Sequence, residues 1–286
     1  MLKNNAAEHP STWLKASFRR AAICGLVVTT AAVVGPVRAE TGEQRMGDGR
    51  EDTSTYYTFP GTPKIALSRN GNIVRYEGPE GYEHFGIGAF SEGYVLCYNA
   101  TQAYDIADDE TGFLPSTISC AASKCTITRN TTDGKLQLKQ VIVKNAPYER
   151  SVNVEMTLTN KSQSAISNII LRRQVDFDVD TGGRLGSGSF VNYFGASERD
   201  SVFGWNAANN NPAEDHAMMI RRYNWNPRTI TALAKVTGNI LDSSCSPVNI
   251  AADGPVRGDY GATIQFPVGT LAGGKSAVVS IQYQRN

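Results

Sequence analysis

The chain has 286 residues, 28 Lys+Arg against 27 Asp+Glu, a net charge of +1 and 41% hydrophobic residues. This balance excludes a basic nucleic-acid-binding domain and a highly charged disordered chain, and the length suffices for one large core. Three histidines and five cysteines leave little material for a metal centre of nitrogen and sulfur ligands.

Residues 1–39 read as a signal peptide. Lys3, Lys15, Arg19 and Arg20 precede an apolar run from Ala21 to Val37, and Val37-Arg38-Ala39 fits a cleavage site. The run is interrupted by Gly35-Pro36 and is short for a bilayer span, so no membrane span is expected after processing and the protein is expected to be secreted or periplasmic. Cleavage after Ala39 leaves 23 Lys+Arg against 26 Asp+Glu. Residues 40–58, polar and glycine-containing, are predicted to be a disordered leader, and residues 59–286 a single β-sandwich domain.

Next comes a hairpin, residues 64–69 and 72–77 joined by Asn70-Gly71, a pair suited to positive φ at both turn positions. Short strands are predicted at 83–90 and 93–99. Asp133-Gly134 marks a second hairpin between 126–129 and 136–143. Its outgoing strand has Leu136 and Leu138, then Val141 and Val143, a change of parity that predicts a β-bulge near Lys139-Gln140. Val152, Val154, Met156 and Leu158 alternate without interruption, and the polar turn at 160–164 leads into residues 169–180. These two long strands are predicted to pair antiparallel within one sheet.

Residues 169–180 organise the chain. Ile169, Leu171, Val175, Phe177 and Val179 fall on one face; Gln174, Asp176, Asp178 and Asp180 fall on the other. Arg172 shares the acidic face as its expected partner. Arg173 falls among the aliphatic residues, which predicts a local bulge or a buried ion pair. From 181 to 227 the sequence is rich in Gly and Asn, with short strands at 191–194, 201–205 and 218–223 among irregular loops. The chain closes with strands at 260–266 and 277–283. No helical period appears after Ala39, so the fold is predicted to be all-β: a large antiparallel two-sheet sandwich with irregular loops in the middle. Cys97, Cys120, Cys125 and Cys245 are even in number, which in an oxidising compartment reads as two disulfides, Cys120 with Cys125 and Cys97 with Cys245.

The segment Leu171-Arg172-Arg173-Gln174-Val175-Asp176-Phe177-Asp178, with the earlier Leu158-Thr159-Asn160 and Glu92-Gly93-Tyr94, resembles a loosely defined group of exported bacterial β-sandwich proteins without an established activity. The turn from Leu271 to Ser276 resembles the last hairpin of sandwich domains found beside carbohydrate-active enzymes, including the mutarotase-like supersandwich. The resemblance implies an exported bacterial sandwich and assigns no active-site residue.

Three constellations bear chemistry. Asp176, Asp178 and Asp180 stand about 6.5–7 Å apart in sequence along a strand face, and such carboxylates need a cation, an arginine or solvent. Calcium suits them, although Thr181 and Ser187 stand where an EF-hand loop has glycine and an acidic residue. Asp176 and Asp178 also have the chemistry of paired glycosidase carboxylates. Glu83-His84, and His216 with Glu214 and Asp215, offer general bases. Trp205, Tyr223 and Trp225 with Arg221, Arg222 and Arg228 mix aromatic platforms with planar donors, a combination that recognises sugars. The leading expectation is a non-catalytic binding or surface-structural module with a glycan or cell-surface partner. The alternative is a carbohydrate-active enzyme, a mutarotase-like epimerase, lyase or hydrolase, using a histidine and a carboxylate.

Overall fold

The computed structural model describes residues 55–85, 92–106, 109–144, 150–179, 192–197, 200–206, 216–223, 230–238 and 243–286. The expected signal peptide and most of the leader lie outside the described residues, as do Asp180 and Trp225.

The described residues form antiparallel strands and no helix. In chain order these are β1 (Tyr57–Phe59), β2 (Lys64–Leu67), β3 (Ile73–Glu77), β4 (Glu92–Tyr98), β5 (Thr101–Ile106) and β6 (Asp109–Thr111). There follow β7 (Thr117–Ala121), β8 (Lys124–Asn130), β9 (Leu136–Lys144), β10 (Ser151–Asn160), β11 (Ile166–Asp176) and β12 (Asn192–Ser197). The last six are β13 (Ser201–Trp205), β14 (Ala217–Arg222), β15 (Leu233–Gly238), β16 (Val256–Gly258), β17 (Tyr260–Leu271) and β18 (Ser276–Arg285). A nine-stranded sheet, β16-β12-β13-β14-β18-β10-β9-β8-β7, packs on a six-stranded sheet, β15-β17-β11-β4-β5-β6. The predicted sandwich is therefore present, with a third sheet, β1-β2-β3, added from the N-terminal hairpin.

The alternation that defines the two long strands holds. Val152, Val154, Met156 and Leu158 are buried on β10, and Ile169, Leu171, Val175, Phe177 and Val179 are buried on and after β11. The expected pairing of these strands with each other is wrong. β10 pairs with β9 and β18, and β11 with β17 and β4, so the turn between them carries the chain from one sheet to the other. Asn160 fixes that crossing: its amide nitrogen donates to the Ser164 and Leu271 carbonyls, both at 2.8 Å, and its oxygen accepts from the Ser162 N–H at 2.9 Å. The two apolar rows thus meet across the core instead of lying edge to edge.

The bulge predicted near Gln140 is also absent. β9 keeps one continuous register against β10, with Leu136, Leu138, Gln140, Ile142 and Lys144 all inward. The parity never changes; two inward positions are polar. Lys144 donates to the Pro60 and Gly61 carbonyls at 2.6 Å each, pinning the N-terminal segment. Gln140 and Arg173 belong to one buried polar group. The register irregularity of β11 lies at 166–170 instead, where Asn168 has φ of 55°.

Arg173 is the predicted buried ion pair. Its guanidinium meets both carboxylate oxygens of Glu92, Nη2 to Oε2 at 2.9 Å, and also donates to Gln140 and to the Gly71 carbonyl. Glu92 further accepts from Tyr283 Oη and the Ile73 N–H, both at 2.7 Å. Burial pushes the Glu92 carboxyl up, against the pull of Arg173. Next to it Arg129 bridges Asp105 and Glu110 and donates to Tyr94 Oη, while Asp105 accepts from Asn72. Residues 70–72, the tip of the N-terminal hairpin, are thus held between the two sheets, directly by Arg173 at Gly71 and, through Tyr94, Glu110 and Asp105, by Arg129 at Asn70 and Asn72. That tip is a three-residue loop, not the two-residue turn expected: Gly71 alone has positive φ, 89°, and its N–H bonds the Ser68 carbonyl. A side chain at 71 would stand 3.2 Å from Ile127 and Gln140, so close docking also demands glycine.

The second face of β11, whose carboxylates are expected to need a cation, an arginine or solvent, is largely covered. Arg172, Gln174 and Asp178 are buried, and residues 243–250 strap this face at Arg172. This strap is held by Cys97–Cys245, by Arg172 donating to the Ser244 carbonyl, by Lys235 to the Pro247 carbonyl at 3.0 Å, and by the Ile250 N–H to the Val236 carbonyl at 2.8 Å. Cys120–Cys125 is the second expected disulfide, joining β7 to β8.

Candidate functional site

β12, β13 and β14 place alternate residues on the outer face of the nine-stranded sheet. In register, Tyr193 stands opposite Arg257 on one side and Trp205 on the other, and Trp205 stands opposite Ala217. The rings of Tyr193 and Trp205 stack, with centroids 5.5 Å apart and planes 19° from parallel, and Arg257 lies 5.6 Å over Tyr193. Phe203 packs on Trp205 at 5.4 Å. On the β14 side Ala217 stands opposite the indole, and among the described residues a slot of about 350 Å³ opens there.

Phe203, Trp205 and Ala217 form the apolar part of this slot, and Asn206, His216 and Asn286 the polar part. The polar residues are positioned by backbone. The Asn206 N–H bonds the His216 carbonyl at 3.2 Å, the Ala217 N–H bonds Asn286 Oδ1 at 2.9 Å, and the Asn286 N–H bonds the Ala217 carbonyl at 3.2 Å. An aromatic wall beside amide and imidazole groups suits a ring with one apolar face and hydroxyls at its edge.

Behind the slot the two histidines come together. His84 and His216 have ring centroids 6.1 Å apart, and Tyr82 packs edge-on against His216 at 5.3 Å. His84 is buried and bonds the Gly78 carbonyl through Nε2 at 2.8 Å. Burial, with His216 and Arg285 adding repulsion, lowers its pKa to about 3, so the ring is neutral. Glu83, considered as a base, accepts from the Tyr76 and Phe85 N–H groups and shapes the backbone there.

The other expected residues are dispersed. Arg221 shares the outer face with Trp205 but stands opposite Ser201, four residues and so about 13 Å along the strand, where its guanidinium binds Gln282. Arg222 bonds the Asp200 carbonyl through its N–H, and the Tyr223 N–H bonds the Ser280 carbonyl. Trp225, Arg228, Glu214 and Asp215 lie outside the described residues. Asp176 and Asp178 converge with Asp259, their oxygens within 4.8 Å of one another. Asp259 had no sequence signal, and neither did Tyr193 or Ala217; only strand register brings them in.

No family model and no curated protein matches the chain. Solved structures with weak similarity to the chain include the following two. One is a bacterial glucoamylase complexed with acarbose, with a TM-score of 0.48 and 9% identity, covering 83% of this chain and 33% of that one. The other is a heparan sulfate lyase HepC mutant from Pedobacter heparinus, with a TM-score of 0.36 and 8% identity over 79% and 29% of the two chains. The chain spans about a third of the length of each.

The two disulfides are the chemistry of an oxidising compartment, and among the described residues no helix is long and apolar enough to cross a membrane.

Proposed function

We propose that the protein is an exported, non-catalytic glycan-binding module and that the slot beside Trp205 receives a sugar ring. The observation that supports this reading is the pairing of Trp205 with Ala217: one side of the indole is stacked on Tyr193, and the other borders a slot that, among the described residues, is flanked by Asn206, His216 and Asn286. Apolar contact on the indole fixes the ring plane, and the polar side chains meet hydroxyls at its edge. The chemistry expected of an enzyme is less well supported, because His84 is buried and neutral and the carboxylate cluster of Asp176, Asp178 and Asp259 is built from other strands. Calcium at that cluster is proposed on the convergence of its three carboxylates.

A glycan array followed by titration calorimetry tests the reading. Binding is expected for the unaltered protein, a loss of about tenfold or more for Trp205→Ala, and a similar loss for Ala217→Leu, which fills the slot. Absence of binding to every glycan, or undiminished binding by both variants, overturns it.

A further inference from the structure

The sheets of the described residues have six edges, and five of them are blunted. β1, β6 and β16 are three residues long, and the last two carry Asp109, Glu110 and Arg257. β3 is bordered by residues 83–85, where the His84 N–H bonds the Tyr76 carbonyl at 3.0 Å, and β15 is bordered by Ile250, whose N–H bonds Val236. β7 is different. Its five residues, Thr117-Ile118-Ser119-Cys120-Ala121, include no charge and no proline, and among the described residues it pairs with β8 alone. Natural sheets seldom leave such an edge unprotected.

We propose that β7 pairs with β7 of a second copy of this chain, joining two nine-stranded sheets across a two-fold axis at Ser119. The register follows from the hairpin. Cys120 and Cys125 are direct partners with Cα atoms 4.1 Å apart, the spacing of a non-hydrogen-bonded pair. The N–H and C=O of Cys120 therefore point away from β8, and by alternation so do those of Ile118. An antiparallel neighbour centred on Ser119 sets Ile118 opposite Cys120 of the second copy, and Cys120 opposite Ile118 of the second copy. Every outward group of these residues then finds a partner. The same operation sets Ser119 against itself as a close, non-hydrogen-bonded pair, where a hydroxymethyl group causes no clash. The half-buried Ile118 and Cys120 side chains extend the apolar face, and no like charges meet along the strand. The isologous geometry closes after two copies. A contact of one short strand from each partner is small, so association is expected only at high protein concentration.

Sedimentation velocity over a concentration series tests this with the full chain. The unaltered protein is expected to shift from monomer toward dimer as concentration rises. Ser119→Lys places two ammonium groups at the dyad without altering the β7–β8 hairpin, because Ser119 is exposed. It is expected to weaken dimerisation about tenfold or more at low salt, with recovery at about 1 M salt, where such repulsion is screened. Identical melting curves for both proteins exclude misfolding as the cause. A protein that stays monomeric at every concentration, or a Ser119→Lys variant that dimerises like the unaltered chain at low salt, overturns the proposal.

Discussion

Replacing Arg173 with methionine perturbs the network that holds the N-terminal hairpin. The substitution keeps the length of the aliphatic stem but removes every donor, leaving the buried carboxylate of Glu92 with only Tyr283 and the Ile73 N–H, and leaving the Gly71 carbonyl and Gln140 without their arginine. Losing one partner of a buried ion pair costs about 3–5 kcal/mol, because the remaining charge stays desolvated. For a domain of this size each kcal/mol lowers Tm by about 2–4 °C, so a fall on the order of 10 °C is expected by calorimetry. The accompanying Glu92→Met variant should cost a similar amount. The double variant, having no buried charge at either place, should be more stable than the two losses added together predict, by about 2 kcal/mol or more. Additive losses, or a change in Tm below about 2 °C for Arg173→Met, would refute the reading of this group as one coupled unit.

Acid stability follows from His84. Its folded pKa of about 3 lies below the ordinary 6.5, so the unfolded chain takes up the proton first. Its contribution is complete above pH 6.5 and is lost as pH falls toward 3; by pH 4.5 about 3 kcal/mol has gone, and His84→Gln should flatten denaturation midpoints across that window. The two disulfides should differ in worth. Cys97–Cys245 closes a separation of 148 residues and Cys120–Cys125 one of 5, so chain entropy assigns them about 5 and 2 kcal/mol, measurable by urea denaturation of the paired Cys→Ala variants. Calcium added to chelator-treated protein at about a hundred times its dissociation constant should raise Tm by about 5 °C or more, and Asp259→Asn should abolish the rise; superimposable melts dismiss the metal.

Period-two alternation made most of the core legible before any coordinates. It located the buried rows of β10 and β11 and set Arg173 between Leu171 and Val175, where a bulge or a buried ion pair could accommodate the charge; the structure has the ion pair with Glu92. The same rule misled where inward positions are polar. Gln140 and Lys144 point inward because Arg173 and the Pro60–Gly61 backbone are waiting for them, and hydrophobicity alone assigns that face to Val141 and Val143. Strand partners were illegible for a different reason: a short polar turn serves a hairpin and a sheet-to-sheet crossing equally well, and the Asn160 bonds that decide between them involve Leu271, more than a hundred residues away. The slot suffered likewise. Trp205 is visible as an aromatic residue, but its stacking on Tyr193 and the space above Ala217 exist only once β12, β13 and β14 are in register.

Because the indole of Trp205 both borders the slot and lies on Tyr193, the protein carries its own optical probe at the place where a ligand would enter. A ring settling against that indole excludes water from it and changes the colour and intensity of its ultraviolet emission. Trp205→Phe supplies the blank, and occupancy of this one site can then be followed without labelling the protein or the sugar.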